Sequence, residues 1–542
     1  MNYLPKSLAV GFVLATFAAS SVLAAGKHPV TGEALADDQT FTYSVLDEFT
    51  TADPQLVEDV EGSWFVRDLF EGLMNQDADG NLIPGVATGY TTNEAKDVYT
   101  FTLRKNAKWS DGNPVTAHNF VYAWRRLADP ATASPYSWFA DIMALENVGA
   151  VMSGESPPEA LGVRALDNHT LEVSLTASLP YFAAMTTHAS TFPSPEWTVR
   201  TFGDDWTKPG NIVGNGAYIL TEHIPNETAT RERNSLYWNN DATIIDKVVT
   251  LVINDENTDF TRWEAGETDR GAVPSGQYPR LKAQYPDEAI SFPRLCTYYM
   301  TFNLSPGGPE AFKDVRVRQA LSYALDRSVV TDKVLQGGQI QAFTFTPGAT
   351  AGFEVPAVAF GQMSQDERNA KAKELMAAAG YGSDNPLKFE YLYNTSEGHK
   401  KIAIAAQQMW KETLGVEATL ANQEWKTFLK TRGGQNFDVA RGGWCGDYNE
   451  ASTFLDLMTT PSGYNDGKFS NDEVDELMTS ARTMSDATAN YTRVEEIMAN
   501  EMPIIPVYHY TGVFMLRNNV KGWPFNNVEQ NIYSRDLYKV AD

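Results

Sequence analysis

Between Leu387 and Leu420 the chain spells out a β-α-β unit. Leu387, Phe389, Tyr391 and Tyr393 alternate as in a strand, His399 to Leu414 keeps a helical period closed by Gly415, and Val416 to Leu420 alternates again. Parallel strands need such a crossover, so the unit predicts an α/β protein with helices covering a parallel sheet. In open sheets of this kind a ligand sits beyond the carboxyl ends of the strands. Two segments leave such ends: Asn394 to His399, and Arg441-Gly442-Gly443-Trp444-Cys445-Gly446-Asp447-Tyr448-Asn449, which follows the short apolar strand Phe437 to Ala440. The second segment reads as a loop whose three glycines let the backbone turn and come close to a ligand, while Asp447 and Arg441 offer opposite charges. If both strands belong to one sheet, His399, Arg441, Trp444 and Asp447 surround one cleft. Arg432, which ends a short helix carrying Trp425 and Phe428, lies beside them. Blander readings stay open: a tight turn, a histidine starting its helix in solvent, a surface arginine, core tryptophans.

The rest of the chain divides into short elements. Strands are expected at Thr40–Val45, Val98–Leu103, Ala217–Thr221 and Ile244–Ile253, with a hairpin of Val163–Leu166 and Leu171–Leu175 turning at Asp167-Asn168. Helices are expected at Trp64–Leu73, Asn119–Leu127 (capped near Thr116), Asp259–Gly266 and Asp314–Val334. Another is opened by the capping box of Ser364 and Glu367 and stopped at Gly380. Asp53 to Gly62 is an acidic loop carrying Glu58 and Asp59, Tyr136 lies in a loop of small residues, and Glu267 to Gly271 is read as a turn. Asn75 to Gly80 is a hairpin turn and not an EF-hand, because the position that requires a bidentate Glu is Val86. The glycine-rich run Gly210 to Tyr218 lacks the spacing and following helix of a phosphate loop.

With 542 residues the chain has room for several domains of roughly 150 residues each. A net charge of −26 argues against nucleic acid or an anionic membrane surface as the main partner. Residues 1–24 read as a cleaved signal peptide: Lys6, the apolar run Leu8–Leu23, and Val22-Leu23-Ala24 with small residues at the cleavage positions. An uncleaved anchor is the alternative. No cysteine stands at the cleavage site for a lipid anchor, so the mature protein is expected free in a Gram-negative periplasm. In that oxidising compartment Cys296 and Cys445 have only each other. Closing so long a loop is worth about 4–5 kcal/mol in the chain-entropy picture, the alternative being two unrelated thiols. No Gly-x-Ser-x-Gly, His-Glu-x-x-His or Cys-x-x-Cys occurs, and the histidines at 28, 118, 169, 188, 223, 399 and 509 have no metal-ligand spacing. No enzyme, cofactor or metal site is expected.

Several stretches resemble the periplasmic oligopeptide-binding proteins, the solute receptors of peptide ABC importers. They are Gly443 to Asn449, Leu295-Cys296-Thr297-Tyr298-Tyr299, Leu103 to Trp124, Asn422 to Phe428, and Leu392 to Ser396 with His399 to Ile402. The resemblance spans nearly the whole mature chain. It implies a two-lobed α/β fold of the type II periplasmic-binding-protein kind with an additional inserted domain. Lobe I would comprise 25–70, 195–295 and 513–542, the insert 71–194, and lobe II 296–512. It further implies a monomer that binds short peptides in extended form between the lobes and delivers them to membrane permease subunits. By the same resemblance Asp447 takes the peptide ammonium, Glu58 and Val60 contact the peptide from the first lobe, and Tyr136 does so from the insert. Trp425 and Trp444 wall side-chain pockets, with Gly443 and Asn394 in the same site. His399, Arg432 and Arg441 are cationic positions for the peptide carboxylate, and Cys296 pairs with Cys445. Two places depart from the family pattern: Leu335 stands where the enterobacterial proteins carry lysine, and Arg270-Gly271-Ala272 replaces an aromatic, asparagine-rich turn. Cell-wall peptides, heme or another amine-bearing solute are alternative ligands within the same class; a periplasmic hydrolase or chaperone is the alternative outside it.

Overall fold

A computed structural model describes residues 26–484 and 486–541; the expected signal peptide lies outside the described residues. The chain is organised by a mixed sheet of eleven strands. From one edge its order is Glu417–Gln423, Lys388–Asn394, Val439–Cys445, Ala289–Phe302, Ile504–Leu516, Arg270–Ala272, Thr40–Val45, Lys247–Val252, Thr228–Arg233 and Tyr218–Ile224. Ile340–Gln341 pairs off this path with Ile504–Leu516.

The two long central strands run antiparallel through both halves of the sheet, and their register breaks between Pro293 and Thr297 and again between Tyr298 and Tyr299. Such breaks bend a ribbon and increase its twist. Before the break, Ala289 to Pro293 pair with Thr511 to Met515; after it, Thr297 to Thr301 pair with Ile504 to His509. Each half has its own core. One gathers Tyr298, Met300, Leu321, Tyr391, Ile402 and Trp410; the other gathers Phe41, Tyr43, Tyr218, Val248, Phe514 and Trp523.

The β-α-β unit forms as its periodicity predicts. Lys388–Asn394 and Glu417–Gln423 pair in parallel across the helix Glu397–Leu414, which Gly415 ends at φ 71°. Val439–Cys445 joins the same sheet in parallel through Tyr391↔Val439 and Leu392↔Ala440, so the two candidate loops do leave one edge. A separate antiparallel sheet of Ala87–Thr92, Val98–Leu103, Thr170–Ser174 and Val163–Asp167 forms between residues 87 and 174, close to the helix Ala117–Ala128. Tyr99, Phe101 and Leu103 turn inward there as the alternation requires.

Four expectations are corrected. Arg441 to Cys445 is not a loop but the second half of the strand Val439–Cys445. Its glycines serve close packing and not a turn, since none of Gly442, Gly443 and Gly446 has a positive φ. A Cβ at Gly442 would collide with the Tyr299 ring, and one at Gly446 would lie 2.6 Å from Leu295 Cδ2. The turn expected at Glu267–Gly271 lies slightly earlier, over residues 265–269, and Arg270–Ala272 is a strand held between two neighbours. The helix expected at Trp64–Leu73 runs over Val60–Leu69, because the Asp59 carboxylate accepts from Gly62 N–H and starts the helix early. The single helix expected at Asp314–Val334 is two pieces, Val315–Tyr323 and a wider π-type turn Val329–Leu335. At the break the fully buried Arg327 donates to the carbonyls of Ser322, Leu325, Ala342 and Pro506, tying the chain to the sheet.

Candidate binding cleft

A cavity of about 420 Å³ lies between the two halves of the sheet and the inserted segment. Asp447, Glu58, Val60, Tyr136, His399, Trp425, Arg432, Arg441, Trp444, Gly443 and Asn394 all line it, as does Cys445. Cys296 does not. It sits directly opposite Cys445 in the sheet register, and the two form the expected disulfide with their Cα atoms 4.0 Å apart.

The strand Val439–Cys445 brings backbone as well as side chains. On one side it pairs with Ala289–Phe302 along its full length, from Val439↔Phe302 to Cys445↔Cys296. On the other it pairs with Lys388–Asn394 only at Val439 and Ala440. From Arg441 onward that edge has no strand beside it among the described residues, and Arg441, Gly443, Trp444 and Cys445 line the cavity. A strand edge with free N–H and C=O groups is a template for one more extended chain.

That edge ends at Asp447, which is buried. Its backbone N–H donates to Thr453 Oγ1 at 2.9 Å. Tyr136 Oη donates to Asp447 Oδ1 at 3.4 Å, and Oδ2 has no partner. Burial pushes this carboxyl well above the usual carboxylate range. His188 Nε2 also lies 3.4 Å from Oδ1. Burial, and then the charge of Arg67, holds His188 down at about 3, so the ring is neutral and this contact is not an ion pair. Aromatic faces enclose the carboxylate: Tyr136 stacks on His188 at 4.8 Å and lies 6.4 Å from Trp444 at 14° between planes. Trp444 Nε1 donates to Thr453 O at 2.7 Å, which fixes that ring. Glu58 stands close by and accepts from Tyr464 Oη at 2.9 Å. Carboxylates set among aromatic faces suit an ammonium group, which satisfies the charge and gains cation–π attraction.

The cations of the cleft are of different kinds. Arg432 Nε lies 2.6 Å from Asp466 Oδ2, so its charge is already matched inside the protein. Arg441 is also buried, yet among the described residues it has no carboxylate within 4.0 Å; Nη2 donates to Tyr510 Oη at 2.9 Å, the guanidinium lies over the Tyr298 ring, and Nε has no partner. His399 is not a cation: burial, and then the charge of Arg441, holds it well below its ordinary value. Asn394 Nδ2 donates to Asp47 Oδ2 at 3.4 Å across the cleft. Burial, and then the charge of Glu61, pushes Asp47 up to about 7. The Trp425 ring is near-parallel to Phe428, its Nε1 without a partner.

Sequence reasoning missed His188, Asp47, Tyr464, Tyr510 and Glu529, all of which line the cleft. Asp47 lies two residues past the strand Thr40–Val45, a position beyond a carboxyl end that the crevice rule flags. His188 carried no signal, being a lone histidine with no motif around it. Among the described residues no group of His, Cys, Asp and Glu is arranged to hold a metal ion, and no helix is long and apolar enough to cross a membrane.

Two lobes joined by paired strands, closed over a cavity with an open strand edge, a buried carboxylate and an unmatched arginine, define a solute-binding protein of the two-lobed type II class. Residues 81–466 match the family of bacterial extracellular solute-binding proteins, family 5, and the chain belongs to that family. It is 45% identical over 94% of its length, and 95% of the relative's, to the periplasmic murein peptide-binding protein MppA of Escherichia coli K12. It is 42% identical over 99% of both chains to the periplasmic oligopeptide-binding protein OppA of the same organism. Among solved structures it superposes with a TM-score of 0.91 on the E. coli murein tripeptide-binding protein MppA, at 44% identity and covering 94% of this chain and 100% of that one. Against the unliganded open form of MppA the score falls to 0.67, covering 94% and 98%. The lobes described above are therefore in the closed arrangement. Haemophilus influenzae OppA in complex with RPPGFSPFR matches with a TM-score of 0.90 at 39% identity, covering 94% and 100%.

Proposed function

We propose that this protein is a periplasmic receptor that holds short peptides in extended form and delivers them to the permease subunits of an ABC importer, without catalysis and without a cofactor. The observation that carries this reading is the strand edge Arg441–Cys445, unpaired on the cleft side and ending at the partnerless Oδ2 of Asp447. A peptide laid along that edge hydrogen-bonds through its main chain, which gives affinity without reading sequence. Its ammonium meets Asp447 and Glu58 between Tyr136 and Trp444, and its carboxylate turns to Arg441. Val60, Trp425, Asn394 and Gly443 border the chain between the two ends. His399 contributes as a neutral hydrogen-bonding ring, and Arg432 as the packed support of Arg441, whose carbonyl it touches at 3.5 Å. Lobe I comprises 25–70, 195–295 and 513–542 and lobe II 296–512, with 71–194 inserted; the ribbons bend at the register break near Pro293. The chain acts as a monomer, released free into the periplasm.

A cell-wall peptide is the second reading. MppA is a murein peptide-binding protein by name, and besides Arg441 the cleft here is lined by Arg270 and Arg294, which have no carboxylate within 4.0 Å among the described residues.

Native mass spectrometry of protein purified from its own cells tests the main reading. Co-purifying short peptides of mixed sequence are expected, and peptides consumed over hours would point to a peptidase instead. Titration calorimetry with trialanine and N-acetyl-trialanine tests the pose. The free amine is expected to bind far more tightly, and equal affinities would defeat the assignment of Asp447.

A further inference from the structure

Next to the cleft, and opening onto the same space, is a second cavity of about 230 Å³. Arg270 and Arg294 line both cavities. Arg270 comes from the short strand Arg270–Ala272, and Arg294 from the register break of the long strand, where the extra residues turn a side chain out of the ladder. Both guanidiniums lie by one ring, Trp64, at 5.5 and 5.9 Å from its centroid. Neither has a carboxylate within 4.0 Å among the described residues, and the Nε of each is buried with no partner. Arg270 has one hydrogen bond, from Nη1 to Ser44 O at 3.0 Å.

Glu61, Glu256 and Asp259 line the first cavity with these arginines, and Glu256 lines the second as well. Glu256 accepts from Ser275 N–H and Oγ, and Asp259 accepts from Ser44 Oγ and Ala272 N–H. Glu61 accepts only from its own backbone N–H among the described residues, and burial, followed by the charge of Asp59, raises it above the ordinary carboxylate range. Arg270 and Arg294 are half-buried like charges beside one ring; they repel each other, and holding them without a close carboxylate is unfavourable unless an anion is brought to them.

Resting on the peptide reading, we propose that Arg270 and Arg294 form a carboxylate subsite separate from Arg441, which selects peptides bearing a second carboxylate. The group is either an acidic side chain within the peptide or the terminal carboxylate of a longer one. Glu61 is its internal competitor.

The test is calorimetric titration of wild type, Arg270→Gln, Arg294→Gln and Glu61→Gln with trialanine and with tripeptides carrying Glu or Gln at each position in turn. Alanine peptides of two to five residues, as free acids and as amides, complete the set. At one position Glu is expected to bind roughly ten- to a hundredfold more tightly than Gln, as for hydrogen bonds to a charged group. Each arginine variant is expected to lose that preference while holding trialanine as wild type does, and Glu61→Gln to widen it. If the preference belongs instead to the free acid of one length over its amide, the source is the terminal carboxylate. Trialanine bound normally with no preference for any carboxylate beyond the one Arg441 takes, or a preference that survives both arginine variants, overturns the subsite alone. Failure of wild type to bind any peptide overturns the peptide reading and the subsite with it.

Discussion

The two ends of the cleft are built on opposite plans. At one end Asp447, with Glu58 close by, is boxed by rings from separate parts of the chain: Tyr136 and His188 from well upstream and Trp444 from the central sheet. At the other, positive charge is spread over Arg441, Arg432, Arg270 and Arg294, which come from different strands and one helix and differ in how far each is already matched. A boxed acidic site fixes where a bound chain must start. Distributed charges let it finish in more than one place. In the proposed pose, register is thus set at the ammonium end and length is accommodated at the other.

The largest expected effect separates the two buried arginines. Arg432→Met leaves Asp466 buried without its cation, and breaking such a pair typically destabilises by about 3–5 kcal/mol. Urea melts of the empty protein are expected to show that loss for Arg432→Met and only a small one for Arg441→Met, which strands no carboxylate. Similar melts for both variants would erase the distinction between a structural arginine and a binding one.

Next comes Asp447→Asn. Removing one partner of a buried charge pair costs about 2–5 kcal/mol, so affinity for free-amine peptides falls steeply while N-acetylated ones are little affected. Arg441→Met follows, with a loss of about 1.5–3 kcal/mol confined to short free acids. Peptide amides of the same length are the control, since they lack the group that Arg441 is proposed to receive. If both variants weakened every peptide by the same amount, the two ends would not be separate devices.

Much of this frame was legible in the chain. Strand alternation, the capping box Ser364/Glu367 and Gly415 are local signals, and local signals placed the β-α-β unit and its edge correctly. The character of Arg441–Cys445 was not legible, because it opens the stretch Arg441–Asn449, whose three glycines and two charges look like a loop. It is a strand because the Tyr299 ring lies where a Cβ of Gly442 would stand, and that is known only once the neighbouring strand is in place. The unequal roles of Arg432 and Arg441 were hidden for the same reason. The partner that decides between them, Asp466, belongs to a distant loop with no motif of its own. His399 looked like a third cation until burial beside Arg441 made it neutral.

The smallest effect is also the one that ties Asp447 to its ligand most directly. In the empty cleft its pKa is raised by burial, so the carboxyl is protonated at pH values where a free aspartate has lost its proton. The sign follows: its neutral form costs nothing below the ordinary value of about 4, and stability of the empty protein is lost as pH rises through the raised value. An ammonium ligand reverses this, because it binds the ionised form and must expel the proton. Affinity for a free-amine peptide is then expected to climb with pH by at most about tenfold per unit until Asp447 ionises unaided, and to fall only when the peptide amine titrates near about pH 8. Calorimetry at about pH 5 in buffers of different ionisation enthalpy is expected to show up to one proton released per peptide bound. In Asp447→Asn that release is expected to vanish together with the loss of stability at rising pH. A wild-type binding heat that does not depend on the buffer would mean that the ammonium is held elsewhere, with Asp447 left as a buried neutral acid in the wall.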